Sequence, residues 1–195
     1  MGKSKILLTK MFKNLKSTII FLLFFISFYS NLYSNERLIN DLKEGEKIIF
    51  IRHALAPGSG DPANFDLSNC STQRNLNIEG VKQSKKIGKF FLKNNIPIDQ
   101  VLTSEWCRCK DTSKYAFKNY ETFSPLNSFF SKKFEKNKES QMINLLNFLK
   151  KWNSKKNLVL VTHYVVILEI TDQSVSSGEI VILDKNLNLL GTIIL

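Results

Sequence analysis

The chain holds two histidines, His53 and His163, and each closes a run of apolar residues. A neutral imidazole, with an unperturbed pKa of about 6.5, is a competent nucleophile toward phosphorus near neutral pH. Arg52 directly precedes His53, and Arg108 lies between the two histidines in the chain. A guanidinium is permanently charged, and its planar fork binds phosphoryl oxygens two at a time. Phosphoryl transfer asks mainly for positioning and charge stabilisation. Two histidines and two arginines brought into one pocket could supply both, for a small phosphorylated substrate.

The surrounding pattern can bring them together. Ile48-Ile49-Phe50-Ile51 shows no polar alternation, which suits a strand buried on both faces of a parallel sheet. The run ends at Arg52 and His53, and Pro57, Gly58 and Gly60 then force a loop. Leu158-Val159-Leu160-Val161 repeats the design before Thr162 and His163. In open α/β sheets the carboxyl ends of such strands are where ligands bind. A loop from Leu55 to about Leu76 follows the first strand, long enough to suggest function.

The rest of the chain alternates strand and helix. Asn77 can cap a helix from Ile78 to about Asn94, with Val81, Ser84, Gly88, Phe91 and Leu92 on one face and lysines on the other. Asp99–Ser104 reads as a strand, Trp106–Phe117 as a helix with Arg108 in its first turn, and Tyr120–Ser124 as a weak strand. A helix start adds unpaired N–H groups and a positive dipole end to that arginine. The lysine-rich stretch Ser131–Lys138 reads as exposed, and Glu139–Trp152 as a helix packing Met142, Leu145, Leu146 and Leu149. A short helix near Val165–Ile170 and a terminal hairpin, Glu179–Leu183 with Leu189–Leu195, complete the chain. These elements predict a three-layer α/β/α sandwich with a mostly parallel central sheet. Residues 35–46 read as a polar lead-in without a regular element.

Five lysines precede an apolar run from Ile19 to Tyr29, the pattern of a secretory signal. Residues 1–34 are therefore read as a signal peptide or an uncleaved N-terminal anchor, and residues 35–195 as the working domain. Export, to the periplasm, is the expectation, with membrane association through the N-terminus as the alternative. The formal charge of +11 falls to +6 without that segment, which carries five lysines and no acid. No basic–aromatic interleaving or helix-turn-helix pattern points to nucleic acid. Cys107 and Cys109 are too close for a relaxed bridge to each other, so an exported chain would pair Cys70 with one of them. The three cysteines lack the ligand count of a zinc site, and neither metal nor cofactor is implied.

Several segments resemble the histidine phosphatase (phosphoglycerate mutase-like) superfamily. Arg52-His53-Ala54 is similar to its R-H-G signature, and Ser104 to Thr112 resembles its S-x-x-x-R-x-x-x-T segment. Arg74-Asn75-Leu76-Asn77-Ile78-Glu79-Gly80 resembles its L-T-x-x-G helix start, Leu160–His163 its second histidine strand, and Ser177-Gly178-Glu179 the turn before a late strand. His163 is followed by Tyr164 rather than aspartate, which resembles the small mutase-like branch. The resemblance implies a phosphatase with His53 as the phosphorylated nucleophile and Arg52, Arg108 and His163 as the phosphate pocket. Position 54 is alanine instead of glycine, and Ser128 stands where the family pattern expects a catalytic glutamate. Glu105, next to the Arg108 segment, and Asp61, in the long loop, are the substitute acids this reading offers. A phosphoryl-binding protein that has lost the chemistry is the competing class.

Overall fold

Where the sequence suggests an irregular lead-in, the chain is helical over residues 35–44 (α1). Burial outweighs the local breakers: the Leu42 side chain is fully enclosed. Its carbonyl accepts from Gly45 N–H and from Asn157 Nδ2, at 3.3 and 2.7 Å. Gly45, with φ +82°, ends the helix in the left-handed conformation that glycine adopts freely. The structure, a computed structural model, describes residues 35–195, so the segment read as a signal or anchor lies outside the described residues. The chain divides into Met1–Leu38 and Ile39–Leu195, and the site belongs to the second unit. Among the described residues no helix is long and apolar enough to cross a membrane.

Six strands form one sheet: β1 (Ile48–Arg52), β2 (Ile98–Thr103), β3 (Glu121–Thr122), β4 (Asn157–Thr162), β5 (Ile180–Leu183) and β6 (Leu189–Ile193). Their order is β3-β2-β4-β1-β5-β6, parallel from β3 to β1, with β5 antiparallel to β1 and β6 antiparallel to β5. Successive strand residues face opposite sides, and Ile48, Ile49, Phe50 and Ile51 are all fully buried. Both faces are therefore covered, which gives the three layers the sequence predicts.

On one face Phe50, Leu160 and Val181 pack with Met142, Leu145 and Leu149 of α5 (Lys138–Lys151) and with Val166 and Ile167 of α6 (Tyr164–Thr171). Elsewhere α2 (Ile78–Lys93) packs on α3 (Cys107–Phe117). A Cβ at Gly88 would lie 2.2 Å from the Ala116 carbonyl oxygen, so glycine is what lets these two helices approach. The buried stripe of α2 is Gly80, Ser84, Ile87, Gly88 and Phe91; Leu92, placed on it by the sequence reading, is 78% exposed. Ile87 occupies the seat instead, because the stripe at i, i+4, i+7, i+8 leaves residue 92 on its flank.

The loop between β1 and α2 is fastened to α3. Cys70 and Cys107 form a disulfide, with Cα atoms 5.7 Å apart and a sequence separation of 37. Gln73 Oε1 accepts from the Cys107 backbone N–H at 2.9 Å. Closing a loop of that length should contribute about 4 kcal/mol by restricting the unfolded chain. Urea unfolding with and without a thiol reductant checks this, and an unchanged midpoint would mean that the bridge is absent in solution.

Candidate active site

Parallel pairing brings the histidines side by side. Arg52 is in register with Thr162, so the next residues, His53 and His163, leave adjacent strands together. The His53 N–H donates to the Thr162 carbonyl at 2.9 Å, and the ring centroids lie 5.5 Å apart in an edge-to-face arrangement. On the other flank of β4, Thr103 of β2 is in register with Val161, which places Ser104 against His163. His163 Nε2 and Ser104 Oγ are 2.8 Å apart. Arg108 enters from the first turn of α3, as the sequence predicts.

The three buried groups interlock. His53 is 2% exposed, and His163 and Arg108 are each 3% exposed. His53 Nδ1 lies 2.8 Å from the Ala54 carbonyl oxygen, so this nitrogen carries the proton and Nε2 keeps its lone pair. Arg108 Nε donates to that Nε2 at 3.2 Å, and its Nη2 lies 3.4 Å from His163 Nδ1. His163 therefore carries its proton on Nε2 and donates to Ser104 Oγ. Ser104 Oγ donates in turn to Asn127 Oδ1 at 3.1 Å.

Both histidines titrate well below their ordinary value, first because burial disfavours the cation and next because the Arg108 charge repels it. In the unfolded chain each would bind a proton near pH 6.5 that its folded counterpart refuses. Stability is thus intact above about pH 6.5 and is lost below it, at up to about 1.4 kcal/mol per pH unit for each histidine. Urea midpoints measured from pH 8 to pH 5 should fall across that window. A flat profile would contradict two buried neutral rings.

These residues open on a cavity of about 370 Å³ lined by Arg52, His53, Asp61, Arg74, Arg108, Ser128, Lys133, His163 and Tyr164, among others. Arg52 reaches the Val175 carbonyl through Nη1 at 2.6 Å, while its Nε is buried without a hydrogen-bond partner. Asp61 accepts from Arg108 Nη1 at 2.7 Å and Nη2 at 3.3 Å, and from Trp106 Nε1 at 3.0 Å. Burial pushes the Asp61 carboxyl up, but the bonds and charge of Arg108 outweigh it and hold the group below the usual carboxylate range. Among the described residues no cluster of histidine, cysteine, aspartate and glutamate could hold a metal ion.

Of the residues chosen from sequence, Arg52, His53, Arg108 and His163 meet in the cavity, and Asp61 lines it too. Glu105 is not among the lining residues; its carboxylate accepts from Asn127 Nδ2 instead. Ser128, at the position expected for glutamate, does face the cavity. Sequence reasoning did not single out Arg74, whose Nε donates to the Gly60 carbonyl at 2.8 Å. Nor did it place the aromatic wall. Phe65 stacks on Trp106 at 5.2 Å, and Phe134 meets Trp106 edge-on at 5.4 Å. Phe134 lies in α4 (Lys132–Glu135), inside the stretch read as exposed; Lys132, Lys133 and Lys136 are exposed, but Phe134 is half-buried and lines the cavity. Cys109, the unpaired cysteine, is buried with Sγ 3.5 Å from His163 Nε2, and burial pushes its thiol up to about 12.

No protein-family model matches the chain, and no curated protein matches it in sequence. Solved structures do match. SixA from Agrobacterium tumefaciens is 17% identical with a TM-score of 0.55, covering 76% of this chain and 97% of its own. The protein histidine phosphatase SixA complexed with tungstate is 16% identical with a TM-score of 0.51, over 73% and 92%. Phosphoglycerate mutase from Thermus thermophilus is 14% identical with a TM-score of 0.53, over 76% and 99%. These matches show that the chain has the fold of the histidine phosphatase superfamily, with its two histidines at the carboxyl ends of the central strands β1 and β4.

Proposed function

We propose that this chain is a phosphatase that works through a phosphohistidine on His53. One observation carries the reading: a buried, neutral His53 whose unprotonated Nε2 meets the Arg108 Nε–H beside the cavity that both residues line. Nε2 attacks phosphorus, the bond to the leaving oxygen or nitrogen breaks, and the leaving group departs with the electron pair. Water then attacks the phosphohistidine, releasing inorganic phosphate and restoring the imidazole. Arg52, Arg74 and Arg108 supply the cationic charge that phosphoryl oxygens need, and the Arg52 Nε without a partner is suited to receive one. A dianionic group beside His163 would raise its pKa, so that its Nδ1 takes up a proton and donates to the ligand.

Among the described residues no carboxylic acid is poised to protonate the leaving group. Ser128 replaces the expected glutamate, Glu105 is tied to Asn127, and Asp61 is held ionised by Arg108. Substrates whose leaving groups depart without strong acid assistance fit such a site, namely phosphohistidine, acyl phosphates and aryl phosphates. Two of the structural neighbours carry the SixA name, one of them described as a protein histidine phosphatase, in line with that class. Export is part of the same proposal: a basic, then apolar N-terminus is joined here by a disulfide, which persists in oxidising compartments.

Rapid quenching with a labelled acyl or aryl phosphate tests the chemistry. An acid-labile, base-stable adduct is expected, with turnover unaffected by chelators. Tight phosphate binding without an adduct would instead support a phosphoryl-binding protein.

A further inference from the structure

We propose that Asp61 is a positioning residue for Arg108: it holds one edge of the guanidinium so that the other edge points between the two histidines. This rests on the phosphatase reading of the site. A guanidinium presents five N–H donors, and here all five have acceptors. Nη1 donates to Asp61 Oδ1 at 2.7 Å and to the Arg74 carbonyl at 3.4 Å. Nη2 donates to Asp61 Oδ2 and lies 3.4 Å from His163 Nδ1, and Nε donates to His53 Nε2. The Nη1/Nη2 edge is therefore taken by a carboxylate, whereas the Nε/Nη2 edge faces the imidazole nitrogens. A phosphoryl group entering between the histidines would take over the donors of that second edge and leave the Asp61 pair intact.

Asp61 is itself fixed from three sides. Besides Arg108 it accepts from Trp106 Nε1 and from the Arg74 backbone N–H at 3.1 Å. Among the described residues that line the cavity it is the only carboxylate. Its loop is anchored to α3 by the Cys70–Cys107 bridge, immediately before Arg108 in sequence. Two other roles for the same group differ in their consequences. A proton donor would matter most for poor leaving groups, and a competitor for the phosphate fork would restrain activity.

The test compares wild type with Asp61→Ala, Asp61→Asn, Asp61→Glu, Arg108→Ala and the double variant Asp61→Ala/Arg108→Ala. In Asp61→Ala, kcat should fall about 100-fold, the cost of a catalytic group displaced by about an ångström. The factor should be equal for p-nitrophenyl, p-chlorophenyl and phenyl phosphates, and affinity for inorganic phosphate should not weaken, because a negative charge has left the pocket. Asp61→Asn, which keeps one oxygen acceptor, should lose less, and Asp61→Ala should add under about threefold to Arg108→Ala. Independently of turnover, the side-chain Nε–H signal of Arg108, assigned by its loss in Arg108→Ala, should be sharp in wild type and broadened in Asp61→Ala. Far-ultraviolet circular dichroism checks the fold, and if Asp61→Ala does not fold, Asp61→Asn carries each comparison.

A loss that grows with leaving-group pKa would overturn the proposal in favour of a proton donor, and unimpaired turnover with tighter phosphate binding in favour of a competitor. Equal losses with and without Arg108, or an unchanged Arg108 signal in the Asp61 variants, would also overturn it. A wild-type protein that cleaves none of the esters would remove the phosphatase reading, while the Arg108 signal would still decide what Asp61 does.

Discussion

His53→Ala should bring turnover down to background, a loss of about 10⁴-fold or more for an enzyme that depends on a covalent nucleophile. Neither neighbouring candidate can take over. His163 faces the same cavity, but its protonated Nε2 is engaged with Ser104 Oγ, and its Nδ1, in the proposed step, takes up a proton beside the dianionic ligand and so has no lone pair to attack with. The Cys109 thiol, pushed up to about 12, is not a thiolate near neutral pH. The adduct trapped on quenching should vanish with turnover. His163→Ala makes the contrast: turnover should drop steeply, yet adduct should still form, because the nucleophile and its tautomer-fixing bond to Ala54 remain. Substantial turnover in His53→Ala, or label mapped to His163, would reject the assignment of the nucleophile.

The second large effect is expected at Arg108. Lysine keeps the charge but replaces five fixed donors with one mobile ammonium. At this position the loss is compound: Asp61, the Arg74 carbonyl and both imidazole nitrogens would have to share that group. We expect Arg108→Lys to lower kcat/KM about 10³-fold, in the range of losing preorganised donors to a developing anion. Affinity for inorganic phosphate should weaken in parallel, because the same edge meets the ground-state ligand. The two losses separate this variant from Asp61→Ala, in which turnover falls but phosphate affinity holds. Retention of a third or more of the activity in Arg108→Lys would show that the fork geometry is immaterial.

The wall of Phe65, Trp106 and Phe134 bears on what the phosphoryl group is attached to. It lies on the cavity beside the histidines, with Trp106 also 5.3 Å from the His163 ring. A planar leaving group can lie against such a surface. This fits the proposal of phosphohistidine and aryl phosphates as substrates and the lack of a poised acid among the described residues.

Much of this protein is determined by local sequence. Ile48–Ile51 and Leu158–Val161 are apolar without alternation, and only a strand covered on both faces buries such runs completely. Each run ends in a histidine, so parallel pairing was enough to predict that the two would meet. Arg108, which alone reads equally as a surface arginine, was legible from its place in a first helical turn together with the two histidines and the resemblance of Ser104–Thr112. What only the tertiary structure decided depends on contacts between residues distant in the chain. The loop from Leu55 to Leu76 has no periodicity to read, so nothing in it announced that Asp61 would be the partner of Arg108 or that Arg74 would join the cavity. Glu105 looked well placed because it is three residues from Arg108, but helix geometry turns the arginine to the histidines while the glutamate is drawn to Asn127. Cys70 could have paired with Cys107 or Cys109. The choice follows from α3, in which residues two apart do not share a face: Cys107 meets the loop, and Cys109 is buried against His163.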